Sequence, residues 1–323
     1  MNFKVGIAIP TYQRAEKLDE TLRHIERNVP AEVPLYIRDN GSTDATETVV
    51  SLFFQDTRRV TTYRKNPTNL GIDANIFAAI QDCEADFVWC LGDDDLFQPD
   101  TYLRIRSAID QVSHLGLIYL NYRVFDRDCV KAHSDAVIKP EAGELYDPGC
   151  GAIAAIGELL SVLSCLVIHR QSFLEGLPSK PVWCHGTAVD FVWPLCSLLG
   201  ERKAVVFADA AIRWRSGDED RGFHWTRLTT PYLAILAEHC RRWRRPDLMR
   251  AARRLCLERS LIPKIRAARA LNSLGLWNRF SIAIELGAHF WAIPALYFRA
   301  WPLLLFPSTL VRCIRKFLHS TPE

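Results

Sequence analysis

The chain contains no Cys-x-x-Cys pair, no internal repeat, no low-complexity stretch and no signal-peptide core at its start. Ten cysteines without that spacing make no zinc knuckle, and a chain of 323 residues is no small disulfide scaffold. Met1-Asn2-Phe3-Lys4 leads straight into an apolar, strand-like run ending at Pro10, so a reducing cytosol is the expected compartment. An apolar fraction of 49% with 24% charged residues excludes disorder and collagen. At roughly 100–200 residues per domain, the length fits one large domain or two smaller ones.

What is present is unevenly charged. Residues 1–240 carry 24 Lys+Arg against 33 Asp+Glu, a balance of −9, whereas residues 241–323 carry 16 against 4, a balance of +12. An acidic body joined to a basic tail points to an anionic partner for the tail, either nucleic acid or an anionic membrane surface.

Short apolar runs alternate with helical periodicity along the first half. Residues 4–10, 35–39, 60–64, 87–91 and 116–121 read as strands, and 87–91 (FVWCL) is apolar throughout, as a strand buried on both faces is. Between them, Leu18, Leu22 and Ile25 share one helical face, and Ile72, Ile76, Ile80 and Cys83 another. Thr43 or Asp44 is the expected N-cap of the helix after Gly41. Further on, 126–150 reads as irregular, 151–163 as a helix, 165–169 and 204–208 as strands, and Asp190 opens a helical stretch to Leu199. This alternation predicts an α/β, doubly wound, mostly parallel sheet with flanking helices. Ligands bind such sheets at the carboxyl ends of strands, which singles out Thr11–Arg14, Asp39–Asp44 and Gly92–Asp95.

Asp93-Asp94-Asp95 is the sharpest of the three. Adjacent carboxylates repel unless a cation or hydrogen-bond donors compensate. Hard divalent cations such as Mg²⁺ or Mn²⁺ take oxygen ligands and bridge to phosphates. The plain alternative is a solvated acidic turn capping the next helix. Asp39 has the same alternative as a turn or cap residue.

With these segments placed, the chain resembles family 2 glycosyltransferases of the GT-A fold, the abequosyltransferase-like members that build bacterial surface polysaccharides among them. VGIAIPTYQR, LYIRDNGSTDAT, NLGIDANI and FVWCLGDDDLFQPD occur in the family's order and spacing. The resemblance covers residues 3 to about 125 well and 150–215 loosely. It implies a GT-A catalytic domain over 1–225, with a donor half to about 125 and an acceptor half over 126–225, followed by a basic helical region over 226–323. Asp39 would accept from the donor nucleobase; Pro10, Thr11, Tyr12 and Arg14 would line the base and ribose side; Asn69 and Gly71 would lie near the ribose or diphosphate, and Asp93 by the ribose. Asp94 would ligate the metal, with Asp95 sharing the role because Gly92 stands where many relatives have Asp.

The acceptor side departs from the family in two places. Asp190 is the expected general base that takes the acceptor's proton on the face opposite the leaving group, giving inversion. Val189 precedes it, where relatives carry a Glu-Asp pair, and Asp209 is a weaker rival. The Arg-x-His of relatives is replaced by Ile212-Arg213-Trp214-Arg215, so Arg215 or His224 would bind the diphosphate instead; His185 is a possible acceptor contact. Asp94 and Asp95 would hold Mn²⁺ or Mg²⁺ against the charge that builds on the departing diphosphate.

The tail has its own chemistry. Residues 286–311 carry one charge, Arg299, and three prolines, Pro294, Pro302 and Pro307. Each uncharged run falls short of the ~20 residues that span a bilayer, and the prolines argue against one straight helix. Trp291, Tyr297 and Trp301, with Arg312, Arg315 and Lys316 behind them, suit a membrane interface over 286–318. The alternative is a helical hairpin packed on protein. The expected function is transfer of a sugar from a nucleotide-diphosphate sugar to a lipid-linked or oligosaccharide acceptor, at the cytoplasmic face of the inner membrane. Two other readings are a non-catalytic membrane-associated scaffold with a degenerate site and a sugar-phosphate nucleotidyltransferase; PTYQRAEK lacks the Gly-rich loop the latter needs. Nothing in the tail identifies a nucleic-acid-binding fold.

Overall fold

The computed structural model describes residues 3–133, 135–138, 145–149, 151–215, 225–262, 265 and 276–306. The chain divides into two compact units, Met1–Phe223 and His224–Glu323.

The first unit is a nine-stranded sheet in the order β3-β2-β1-β4-β8-β6-β9-β5, with β7 paired to β9. Its strands are β1 (Val5–Thr11), β2 (Leu35–Asp39), β3 (Thr61–Lys65), β4 (Phe87–Cys90), β5 (Leu96–Phe97), β6 (Leu115–Phe125), β7 (Leu145–Tyr146), β8 (Leu166–His169) and β9 (Lys203–Arg215). Strands β3, β2, β1 and β4 are all parallel, as the β/α alternation of the sequence requires. Beyond β4 the sheet is mixed: β8 runs antiparallel to β4 and β6, and β9 runs parallel to β6. The two-residue strands β5 and β7, too short to carry a hydrophobic period, are absent from the sequence reading.

Helices α1 (Ala15–Asn28), α2 (Thr46–Asp56), α3 (Ile72–Asp82) and α4 (Thr101–Gln111) follow the first strands. Leu18, Leu22 and Ile25 of α1 are fully buried, and so is every residue of β4. Ile76, Ile80 and Cys83 also face the core, but Ile72, expected on the same face, is 48% exposed at the first turn of α3. Helix α2 begins two residues after Asp44, whose carboxylate accepts from Thr46 N at 3.1 Å and, across the sheet end, from Ala15 N at 3.1 Å. The N-cap residue of α2 is Ala45, not Thr43 or Asp44, and the Asp44 carboxylate instead binds the first amide of each of two helices. The expected helix over 151–163 splits into α5 (Gly151–Ile156) and a 3-10 turn at Gly157–Ser161, and α7 (Val192–Glu201) begins two residues after Asp190. Helix α6 is Arg170–Glu175. The eight described cysteines are all free and buried.

The second unit is helical, with α8 (Trp225–Arg242), α9 (Pro246–Leu255) continuing into a π-turn at Cys256–Leu261, α10 (Leu276–Phe290) and α11 (Trp301–Leu305). Arg241 and Arg242 pair with Glu238, Arg245 with Asp247 and Arg254 with Glu258, so much of the basic stretch is an ion-paired, solvated face. Residues 283–306 form a hairpin in which the Trp301 indole donates to Ala283 O at 3.1 Å and the Tyr297 hydroxyl to Trp291 O at 2.7 Å. Leu286, Phe290, Leu296 and Leu304 are buried within it, while Trp291 (66%) and Phe298 (82%) stand exposed. Among the described residues no helix is long and apolar enough to cross a membrane. Arg312, Arg315, Lys316 and Pro307 lie outside the described residues.

Candidate active site

The carboxyl ends of β1, β2 and β4 meet at one edge of the sheet. Thr11 ends β1 opposite Asp39, which ends β2. Pro10 is tolerated in a central strand because β4 has already paired out at Cys90, opposite Ala8. Gln13 takes a left-handed conformation (φ 55°) and donates its backbone N–H to Ser42 Oγ at 2.9 Å, fastening the loop after β1 to the loop after β2. Tyr12 projects from that loop and is exposed.

Four asparagines shape the neighbouring loop. Asn40 donates to Asn69 Oδ1 at 2.8 Å and to Gly71 O at 3.2 Å, and its own oxygen accepts from Leu70 N and from Asn66. Asn66 also donates to Asn75 at 3.0 Å. Gly71 adopts φ 88°, and its N–H donates to Asn69 Oδ1, so the Asn-x-Gly segment is a rigid turn leading into α3.

The acidic turn after β4 is compensated residue by residue. Asp93 is buried and accepts from Thr11 Oγ1 at 2.6 Å and from the Arg14 guanidinium at 3.4 Å. Asp94, with 19% of its side chain exposed, is ion-paired with the same guanidinium. Asp95 is buried, accepting from Ser164 Oγ at 2.5 Å and from Arg215 N at 3.0 Å. Burial, reinforced by the charge of Asp94, raises the carboxyls of both Asp93 and Asp95 to about 7. Asp94 is thus the member of the trio whose side chain is partly exposed, with Arg14 paired to it. Among the described residues no three His, Cys, Asp or Glu side chains form a ready-made metal cage. The donor set instead fits a hard cation held by one or two carboxylates and completed by phosphate oxygens.

Several expected residues have other occupations. Asp39 is fully buried, with Oδ1 accepting from Ser42 N at 2.8 Å and Oδ2 from the Tyr63 hydroxyl at 2.7 Å. Each oxygen keeps a second lone pair, but no part of the residue is on the surface. Arg215, expected to face a diphosphate, is buried and spends its guanidinium on Asp94 O (2.7 Å), Arg127 O (2.5 Å) and Glu20 (2.8 Å). It braces the acidic turn from behind. His185 is exposed in the loop before Asp190. His224 lies outside the described residues.

Asp190 is 2% exposed and sits in a group that the sequence reading missed. Its Oδ2 is ion-paired with Lys180 Nζ at 2.6 Å, and it lies beside Asp73, on the first turn of α3, to which its own backbone N–H donates at 3.3 Å. Asp73 also accepts from Ala188 N at 2.6 Å. Nothing in the spacing of residues 73, 180 and 190 marks them as partners. The four asparagines and Ser164 are likewise polar residues at strand and helix ends that only the fold brings together.

Residues 6–150 match the family described as Glycosyl transferase family 2. Over those residues the chain is similar to family 2 glycosyltransferases. Over 179 residues it is 30% identical to abequosyltransferase RfbV of Salmonella typhimurium, an alignment covering 52% of this chain and 53% of the relative. The chain thus spans about half the length of that curated relative. Among solved structures, S. aureus TarS 1-349 aligns over 90% of this chain and 81% of its own, at 16% identity and a TM-score of 0.63. The mannosyltransferase PcManGT from Pyrobaculum calidifontis aligns over 94% and 86%, at 17% identity and a TM-score of 0.54. These likenesses make the fold GT-A-like.

Proposed function

We propose that this chain is an inverting glycosyltransferase that moves a sugar from a nucleotide-diphosphate sugar to a hydroxyl of a growing surface glycan. The observation that carries this reading is the acidic turn at the end of β4, in which Asp93 and Asp95 are buried and Asp94, paired with Arg14, keeps part of its side chain exposed. TarS has been crystallised with UDP-GlcNAc and PcManGT with GDP-Man and Mn²⁺, which supports a nucleotide-sugar donor and a divalent cation here. Asp94, backed by Asp95, is the residue to hold Mn²⁺ or Mg²⁺, which would neutralise charge on the leaving diphosphate. Thr11, Tyr12 and Arg14 flank the donor, and the Asn69–Gly71 turn offers backbone toward the ribose or diphosphate. Arg14 must leave Asp94 when the donor arrives, and its cation is then free to meet phosphate.

In the transfer step the acceptor oxygen bonds to the sugar's anomeric carbon. The electron pair of the bond to phosphate departs on the diphosphate, and the hydroxyl proton passes to Asp190. Asp190 reaches that proton only after one of its present partners yields. An acceptor on a polyprenyl carrier suits the exposed Trp291 and Phe298 of the hairpin, which would seat the enzyme on the anionic cytoplasmic leaflet.

The burial of Asp190 and the ion pair that covers Asp94 favour a second reading, a scaffold with a degenerate site. Thermal denaturation with UDP, GDP, CDP and dTDP, with and without Mn²⁺, separates the two. The transferase reading expects one nucleotide to stabilise the wild type in a Mn²⁺-dependent way, by about 2.7 kcal/mol at a hundredfold excess over Kd, and Asp94→Ala to lose the effect. No shift with any nucleotide, for a folded chain, would leave the scaffold.

A further inference from the structure

The group around Asp190 has a charge problem that its geometry solves in one way. Two aspartates and one lysine meet in a place where all three are almost excluded from water: Asp190 is 2% exposed, Asp73 4%, and the Lys180 side chain 8%. With both carboxyls ionised the group holds one negative charge too many in low dielectric. Oδ1 of Asp190 is then also a buried acceptor with no hydrogen-bond donor. A single proton removes both defects.

We propose that Asp73 is a positioning residue for Asp190: its carboxyl carries a proton and donates it to the Asp190 carboxylate, which stays ionised between Asp73 and Lys180. The inference rests on the reading of Asp190 as the base that receives the acceptor's proton. The two backbone contacts of Asp73 fit the assignment. By accepting from Ala188 N and Asp190 N, it fixes the chain on which Asp190 rides, including the left-handed Ala188 (φ 62°). Asp73 lies two residues after Gly71, so the segment that faces the donor and the group that faces the acceptor share one rigid helix start.

The titration follows the same logic. Burial, with the charge of Asp190 beside it, raises the Asp73 carboxyl to about 7, outweighing the two backbone N–H groups that favour its ionised form. The other titratable groups facing it are Asp190, Lys180 and Cys184, whose thiol is pushed up to about 12 by burial and stays neutral. Lys180 also lies 4.4 Å from the centroid of the Phe77 ring, on the same helix as Asp73.

Asparagine imitates a protonated aspartate, with one oxygen to accept and one N–H to donate, so Asp73→Asn and Asp73→Ala part company under this proposal. Release of nucleoside diphosphate from UDP-glucose, GDP-mannose, CDP-glucose and dTDP-glucose in Mn²⁺, with water as acceptor, is followed in the full-length chain. For any donor turned over, Asp73→Ala is expected to lower kcat about ten- to a hundredfold with little change in the donor's KM, and Asp73→Asn to recover most of the loss. Asn as damaging as Ala, or loss confined to KM, overturns the proposal. Should Asp190→Asn keep full activity, it is the base reading that fails, whatever Asp73 does. Should Asp190→Asn lose activity while Asp73→Ala does not, this inference fails alone. If no donor is turned over, or if Ala does not fold, thermal stability against pH decides. The wild type is expected to lose stability relative to Asp73→Asn as pH rises from about 5 to about 8. A constant difference between the two would show Asp73 ionised throughout and overturn the proposal.

Discussion

Ser164 Oγ donates to Asp95 Oδ2 at 2.5 Å while accepting from the amide of Gly92 at 2.9 Å. One hydroxyl, carried on the short turn before β8, thereby holds both ends of the acidic turn that follows β4. Replacing it leaves a buried carboxyl short of a donor and a half-buried amide short of an acceptor. Ser164→Ala is expected to destabilise the chain by about 1–3 kcal/mol, read as a fall in the urea midpoint with an unchanged slope. An unshifted midpoint would mean that Asp95 finds its donor elsewhere.

Gly92 is coupled to the same hydroxyl. A Cβ at residue 92 would stand 2.9 Å from Ser164 Oγ and 3.4 Å from Asp94 Oδ1 and Asp95 Oδ2. A side chain at residue 92 therefore requires the Ser164 hydroxyl to move. Gly92→Ala alone should cost about 1–3 kcal/mol by overpacking. In the double variant with Ser164→Ala the clash is relieved, so the two costs should sum to more than the measured total. Strict additivity in that cycle would contradict the contact.

Arg14 occupies Asp94 in the ligand-free chain and reaches Asp93 at 3.4 Å. Arg14→Gln removes the cation from two adjacent carboxyls, Asp93 and Asp94. The variant should melt earlier than the wild type at pH 7.5, by about 1–3 kcal/mol, and millimolar Mn²⁺ without nucleotide should recover more stability in it than in the wild type. Equal responses to Mn²⁺ would show that guanidinium and metal do not compete for Asp94.

Much of this arrangement is readable in the sequence, and the limit has a physical cause. Strands β1, β2 and β4 announce themselves because each is an apolar run broken by Pro, Gly or Asp, β3 (TTYRK) by its β-branched and aromatic residues alone, and Asp93–Asp95 because three adjacent carboxyls need an explanation. Helix periodicity places Leu18, Leu22 and Ile25 inside, yet misplaces Ile72, since periodicity says nothing about where a helix emerges from the core. Arg215 looks like a phosphate ligand in sequence, where its partners Asp94 O, Arg127 O and Glu20 are invisible. Asp73, Ser164 and Lys180 are single polar residues without a local pattern. Their significance comes from contacts between residues 10 to 115 positions apart, which only the folded chain provides.

Stability should depend on pH with an unusual sign. Asp73, Asp93 and Asp95 are all raised to about 7, against about 4 in an unfolded chain. Between those values the folded chain binds more protons than the unfolded one, so stability falls as pH rises from about 4 to about 7 and levels off above. Asp44, lowered by hydrogen bonds from Thr46 and Ala15, works in the opposite direction and matters only as pH falls through the ordinary carboxyl range and below. The urea midpoint of the ligand-free chain should accordingly be higher at pH 5.5 than at pH 8. A higher midpoint at pH 8 would place these carboxyls ionised in the fold.

The exposed aromatic residues of the hairpin carry the last expectation. Trp291 and Phe298 are 66% and 82% exposed, although the same hairpin buries Phe290 and Leu296. Rings of that size left in water are costly, and a lipid interface would cover them while the arginines of the tail meet anionic head groups. In co-sedimentation, binding should be stronger to vesicles of phosphatidylglycerol and phosphatidylcholine than to phosphatidylcholine alone, and should weaken as salt rises. Trp291→Ala with Phe298→Ala should weaken it by about tenfold or more, since each ring buried is worth about 1.5–3 kcal/mol. The urea midpoint should barely move, because neither side chain is in the core. Vesicle binding that ignored both the substitutions and the salt would rule out this hairpin as the contact and return its aromatic surface to a protein partner.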